Sequence, residues 1–229
     1  MASLWRPACL VISPMGIAFF DMDKTLLSKS SSSLYVRYLW RHRLISLGEM
    51  LEVMLVTAQY SLNMLNFPAA MARLSRRVQG GDAAVTKALC DRWAEEELLG
   101  YIALKALERL RAHQARGDHV VLLSASTQFA VEPVARHLGI PFRCTELEVC
   151  DGKFTGGVVG EPCYGEGKRI WAERIATEHG VPLSACTFYT DSYTDRPLLD
   201  VVGHPVVVNP DRALRRYAQQ RGWPIEYFY

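Results

Sequence analysis

Ile17-Ala18-Phe19-Phe20-Asp21-Met22-Asp23-Lys24-Thr25-Leu26-Leu27 is the stretch on which the reading of this chain turns. Four apolar residues stop abruptly at two carboxylates spaced i, i+2. An apolar run without alternation suits a central strand of a parallel sheet, covered on both faces. Ligands of open α/β sheets bind beyond the carboxyl ends of the strands, which is where Asp21 and Asp23 fall. Two acids brought together there repel unless a cation or a proton separates them. Taken alone, the pair reads equally well as a helix-capping acid beside a solvated loop acid. Later features of the chain decide between the two.

Working outward, the serine run Ser28–Ser33 is followed by a change of texture. From Leu34 to about Leu99 the pattern is helical. Tyr35, Tyr38, Leu39 and Leu44 form one stripe, and Leu47 to Phe67 is a long apolar stretch containing Met50, Met54 and Met64. Pro68 can open the next helix, Gly80-Gly81 closes it, and Asp82 can cap a helix carrying Val85, Leu89 and Trp93. This stretch reads as a helical bundle inserted after the first strand. From residue 101 onward, helix and strand alternate. A helix over 101–116 precedes a strand at His119–Leu123 that ends in Ser124-Ala125-Ser126-Thr127. A helix then runs to Leu138 with Gly139 as its C-cap. Asp151-Gly152 turns a hairpin between Cys144–Val149 and Lys153–Val158. A helix over 165–179 follows, and then a strand, Cys186–Thr190, stops at Asp191 and Asp195. Val206–Val208 and a helix over 211–221 complete the pattern. The expectation is an α/β fold: a three-layer Rossmann-like parallel-sheet core, with an all-helical cap inserted after the first strand. Its parts are a core over 15–27 and 101–229, a cap over 28–100, and an N-terminal extension over 1–14.

The chain has 229 residues and is 49% hydrophobic, enough for a packed core without staples. Its net charge of +2 gives no electrostatic case for nucleic acid. The six cysteines show no CxxC and no paired histidine spacing, so reduced thiols in a cytoplasmic protein are expected, not a zinc site or a disulfide framework. Arg6 and the apolar Cys9–Phe20 imitate a signal peptide only faintly. Pro14 and Gly16 interrupt that run, which passes straight into the motif strand. Leu44 to Phe67 carries Glu49, Glu52, Gln59 and Asn63 and is too polar to span a membrane, so no transmembrane segment is expected.

Three strands thus end in Asp21/Asp23, Ser124 and Asp191/Asp195, and Lys168 lies just after Gly165-Glu166-Gly167 at the start of a helix. Right-handed crossovers gather such ends on one edge of the sheet. Four carboxylates, a hydroxyl and an ammonium at one place call for an oxygen-ligated Mg²⁺ and suit phosphoryl transfer. Alone, Ser124 reads as a helix cap, Lys168 as a surface lysine and Asp195 as a cap of the helix at Arg196-Pro197.

In this order, DxDKT, strand–Ser, Lys and strand–DSxxD resemble the haloacid dehalogenase superfamily, and within it the phosphoserine-phosphatase-like branch. Asp151-Gly152-Lys153-Phe154-Thr155-Gly156 matches the DGKxTG hairpin of that branch. The resemblance implies a Mg²⁺-dependent phosphomonoester phosphatase with Asp21 as nucleophile and Asp23 as general acid and base. It implies phosphate binding by Ser124, Ala125 and Lys168. The implied metal ligands are Asp21, the Asp23 carbonyl and Asp191, with Asp195 in support. Lys24 stands where many relatives have glycine, and no chemistry is assigned to it. The stretch in which phosphoserine phosphatases carry an amine-binding glutamate is here Ser28–Ser33, without an acid. Two glycines following the motif serine are here Ala125-Ser126. Both departures weaken the case for phosphoserine itself. They leave open histidinol phosphate, a lipid phosphate of the phosphatidylglycerophosphate kind, and peripheral membrane contact through the apolar cap. A regulatory phosphate-binding module without turnover is the non-enzymatic alternative.

Overall fold

The computed structural model describes residues 16–52, 55 and 67–229. The expected extension over 1–14 and most of the apolar stretch from Leu47 to Phe67, with Met54 and Met64, lie outside the described residues.

Strand β1 (Ile17–Phe20) occupies the middle of a seven-stranded sheet of order β4-β3-β2-β1-β5-β6-β7. Its neighbours are β2 (His119–Thr127) and β5 (Cys186–Thr190), both parallel to it. Beyond them run β3 (Phe142–Cys150) and β6 (His204–Val208), also parallel. Only β4 (Lys153–Val159) is antiparallel, as a hairpin partner must be. The two-residue edge strand β7 (Ile225–Glu226) was not expected from the sequence, being too short to show periodicity. Ala18 and Phe20 enter one apolar cluster and Ile17 and Phe19 the other. Both faces of β1 are therefore covered, which is why its side chains do not alternate in polarity.

Helices cover these two faces. The described helices include α1 (Ser31–Arg41), α2 (Phe67–Val78), α3 (Ala83–Glu96), α4 (Leu104–Ala115), α5 (Gln128–Leu138), α6 (Glu166–Glu178), α7 (Arg196–Leu199) and α8 (Arg212–Arg221). The helix expected over 101–116 begins only at Leu104, after a 3₁₀ turn at Leu98–Tyr101. Asp82 caps α3 as expected, accepting from the N–H groups of Ala84 and Val85.

The inserted helices share their packing with the sheet. Leu34 and Tyr38 of α1 and Trp93 of α3 lie in the same cluster as Phe20 and Val131. Met71 of α2 packs on Leu147 and Phe154 of the β3–β4 hairpin. The α2–α3 link also bonds to the hairpin tip, Ala83 N–H donating to the Gly152 carbonyl and Gly80 N–H to that of Phe154. Two expected core positions are corrected. Val85 of α3 is 66% exposed and Leu44, beyond the end of α1, is 54% exposed. Val85 lies past the apolar stripe that α3 turns inward, and Leu44 falls outside because α1 has already ended at Arg41.

Candidate active site

Sheet register sets the site. Phe20 stands opposite Leu122 of β2 and Tyr189 of β5. One residue further along, the Asp21 N–H still donates to the Tyr189 carbonyl (2.9 Å), so Asp21 is the last residue held by the sheet. Ser124, Thr190 and Asp191 lie at the same edge. The chain then leaves the strand through a tight turn in which Lys24 adopts φ 57°.

Lys168, in the first turn of α6, is 2% exposed. Its Nζ donates to Asp21 Oδ1 at 2.6 Å and to Asp195 Oδ2 at 2.7 Å. Asp195 takes a further bond from Thr190 Oγ1 at 2.6 Å, and Thr190 Oγ1 accepts the Ser192 N–H at 3.2 Å. A buried ammonium between two carboxylates is stable only because every charge in it has a partner. Asp195 stands at the N-cap position of α7, but its side chain makes no capping bond. The buried lysine has claimed it.

Burial pushes the Asp21 carboxyl up to about 7, against the pull of the Lys168 ammonium. Asp191 is held well above the ordinary carboxylate range, first by burial and then by the charge of Asp21. These two acids are thus close enough to oppose each other's ionisation, and a divalent cation between them removes that opposition. Among the described residues no group of three or more His, Cys, Asp or Glu side chains is arranged to hold a metal. Mg²⁺ does not require one. It is commonly bound by one or two carboxylates, with water and substrate phosphate completing its shell. The donor chemistry of Asp21 and Asp191 fits that ion.

Asp23 is held by other partners. Ser31, the first residue of α1, donates to Asp23 Oδ1 through its N–H and to Oδ2 through its hydroxyl at 3.0 Å. Ser126 Oγ donates to Oδ2 at 2.9 Å. Asp23 is thereby tied at once to the inserted helix and to the end of β2. Ser124 is 1% exposed, and its Oγ accepts the Ser126 N–H at 3.2 Å. Ala125 is half-buried against the hairpin cluster.

Of the residues expected from sequence, Asp21, Lys168 and Asp195 form one bonded network with Asp191 beside it. Asp23 joins Ser31 and Ser126 in a second. Sequence reasoning missed Thr190, Ser31 and Ser126. Thr190 immediately precedes Asp191 at the end of its strand, a signal that could have been used. Ser31 is one of five serines between 28 and 33 that are locally equivalent.

A parallel sheet with acids, a hydroxyl and a buried lysine gathered at its carboxyl edge, under inserted helices, defines a class of capped α/β hydrolases. Comparison with known proteins agrees. The family model for haloacid dehalogenase-like hydrolases matches residues 18–200, and the chain belongs to that family. It is 35% identical over 212 residues to a probable phosphatase of Mycobacterium tuberculosis, covering 91% of this chain and 74% of the relative. A phosphoserine phosphatase of the same organism is 33% identical over 216 residues, covering 92% and 70%. A histidinol-phosphatase of Neisseria meningitidis is 30% identical over 221 residues, covering 91% and 97%. Among solved structures, a Bordetella pertussis protein of unknown function superposes with TM-score 0.83 at 28% identity, covering 93% of this chain and 98% of that one. A substrate-bound phosphoserine phosphatase shares the fold, with TM-score 0.69 at 20% identity and 93% coverage of both chains. The chain is thus a hydrolase of the phosphatase kind, in the phosphoserine-phosphatase-like branch. No described helix is long and apolar enough to cross a membrane.

Proposed function

We propose that the chain is a Mg²⁺-dependent phosphomonoesterase that works through an aspartyl-phosphate on Asp21. The observation that carries the reading is the Lys168 ammonium buried between Asp21 and Asp195. It draws the Asp21 carboxyl toward ionisation against the effect of burial, holds it in place, and supplies positive charge where phosphoryl oxygens arrive. Asp21, Asp191 and the Asp23 carbonyl would hold Mg²⁺, which neutralises phosphate charge and steadies the attacking carboxylate.

In the first step an Asp21 carboxylate oxygen bonds to phosphorus and the ester O–P bond breaks. Asp23 gives its proton to the departing alkoxide. In the second step Asp23, now a carboxylate, takes a proton from water as that water attacks phosphorus. The bond to Asp21 breaks and inorganic phosphate leaves. Ser124 Oγ and the Ala125 N–H orient the phosphoryl oxygens, while Thr190 and Lys168 hold Asp195 behind them. The substrate is a small organic phosphate. The relatives named for phosphoserine and for histidinol phosphate support that class, and neither fixes the ester. Cytoplasmic placement accords with this reading.

The test is hydrolysis of p-nitrophenyl phosphate by wild type with Mg²⁺, by wild type with EDTA, and by Asp21→Asn. Activity only in the first sample is expected. Equal rates in all three would remove both the nucleophile and the metal from the account.

A further inference from the structure

Within the opening motif, Lys24 takes no part in the chemistry above. Its backbone sits at φ 57°, the left-handed region that favours glycine and, next, asparagine. The turn is held through its carbonyl, which accepts the Tyr229 hydroxyl at 3.0 Å and the Asn209 amide at 3.5 Å. Conformation alone therefore gives no reason for a lysine here, and the reason is to be sought in its side chain.

Lys24 lines a cleft of about 560 Å³ together with Lys29 and Arg37. The hydroxyl-bearing residues Ser28, Ser30 and Ser33 line it too, and Leu34 and Tyr229 add apolar surface. No aspartate or glutamate lines it. Among the described residues neither the Lys24 nor the Lys29 ammonium has a carboxylate within 4.0 Å. Arg37 lies 3.6 Å from Glu97, which Arg41 also engages, so two guanidinium groups face one carboxylate. The cleft is net positive.

It also adjoins the catalytic carboxylates. Lys24 directly follows Asp23 in the chain, and the lining residues Ser30 and Ser33 flank Ser31, which bonds to both Asp23 carboxylate oxygens. The Tyr229 hydroxyl is pushed up to about 12, first by burial and then by the charge of Asp191. Two walls of the cleft, Lys24 and the Ser28–Ser33 segment, are thus continuous with the residues that carry and hold Asp23.

We propose that this cleft is a second substrate subsite, which binds an anionic group (a carboxylate or a further phosphate) carried by the phosphomonoester and disfavours an ammonium there. The inference rests on the reading of Asp21 as nucleophile, because it takes the reacting phosphate to lie at that end of the cleft. An incoming anion gains two lysines with no carboxylate within 4.0 Å and an arginine that shares Glu97 with Arg41, along with serine hydroxyl donors. An ammonium meets like charges and finds no acceptor carboxylate. The apolar wall accommodates the carbon skeleton between the two ends. Partly exposed ion contacts are each worth only a few-fold, so three acting together give a preference of about tenfold.

The experiment compares kcat/KM for linear alkyl phosphates of one length whose far end is a methyl, a carboxylate or an ammonium. The expected order is carboxylate, methyl, ammonium, with about tenfold between the extremes and a smaller gap at high salt. Lys24→Asn tolerates the left-handed backbone and so keeps the fold. It should lower the carboxylate-to-methyl ratio several-fold, and Lys24→Arg should retain the ratio. Calorimetric binding of the matching carboxyalkyl and alkyl phosphonates to wild type and Lys24→Asn reads the same preference without turnover. Equal kcat/KM for the three ends, or preference for the ammonium, would overturn the subsite and leave the phosphatase intact. If instead no ester is hydrolysed and Asp21→Asn matches wild type, the underlying mechanism fails. The phosphonate binding then decides the subsite by itself: a carboxylate preference lost in Lys24→Asn supports it, and equal binding removes it.

Discussion

Lys168 has exchanged water for two carboxylates, and that exchange is what makes the site. Removing it as Lys168→Met leaves Asp21 and Asp195 buried with their shared counter-charge gone. Breaking a buried ion pair from one side costs about 3–5 kcal/mol. Urea unfolding in EDTA should show a loss of that order together with loss of phosphatase activity, and an unchanged midpoint would mean the three groups are not mutually dependent. The serines on Asp23 act differently. The hydroxyls of Ser31 and Ser126 bond to each other and to the acid that we assign to protonating the leaving group. A hydrogen bond to a charged group is worth about 1.5–3 kcal/mol, so Ser126→Ala should lower kcat for an alkyl phosphate by about tenfold or more. Hydrolysis of p-nitrophenyl phosphate, whose leaving group needs little protonation, should fall much less. Equal losses on both substrates would show that Ser126 does not act through Asp23.

At the scale of elements, each functional side chain is carried by a turn whose backbone has little freedom. Gly167 shows this most directly. A Cβ placed there would stand 1.8 Å from the Pro162 carbonyl oxygen, so the first turn of α6 is pressed against the segment that precedes it. Lys168 is the next residue. Gly167→Ala must move that turn, costing about 2 kcal/mol or more, and a displaced ammonium loses its grip on Asp21. Gly180, beyond the other end of α6, has φ 66° but open space around its Cβ position. Gly180→Ala should cost only about 1 kcal/mol and leave kcat in place. Thermal denaturation and steady-state kinetics on the two variants separate these effects. Similar kinetics for both would mean the Pro162 contact does not position Lys168. The inserted helices obey the same logic: α1 starts from Asp23 through Ser31, and α2 and α3 are tied to the β3–β4 hairpin.

Across the whole molecule, one polar network lies beside the central strand and reports on acid stability. His113 of α4 is 3% exposed, with Nδ1 2.8 Å from Asp118 Oδ2 and Nε2 2.9 Å from the Tyr189 hydroxyl. Burial pulls the imidazole below its ordinary value, against the attraction of Asp118. The Tyr189 hydroxyl is pushed up to about 12, mainly by burial, so it remains a donor to a neutral ring. The unfolded chain protonates this histidine near pH 6.5, before the folded one does. Its contribution to stability is complete above about pH 6.5 and is lost as the pH falls from there toward the lower folded value. Between about pH 7.5 and about pH 5.5 the wild type should lose more stability than His113→Gln, as read from urea midpoints. An equal loss would place the acid sensitivity elsewhere.

What could be read from the chain alone was whatever local chemistry writes. The IAFF run, the acids that stop it, the Asp151-Gly152 turn and the glycine after α5 are each decided by a few neighbouring residues. Together they were enough for a parallel sheet with inserted helices and for Asp21, Asp23, Ser124, Lys168, Asp191 and Asp195 as the candidate site. Tertiary structure decided which of these acids touch. Lys168 bonds to Asp21 from 147 residues away, Asp23 is held by two serines and not by the lysine, and Asp195 abandons the helix cap that its position offered. Val85 fell outside the core because periodicity says that a helix has an inner face but not how far that face is covered, and Leu44 because the helix stops short of it. Lys24 gained meaning only when folding set it beside Lys29 and Arg37. Charge and desolvation act through space between groups the chain holds far apart, and spacing along the sequence cannot measure that distance.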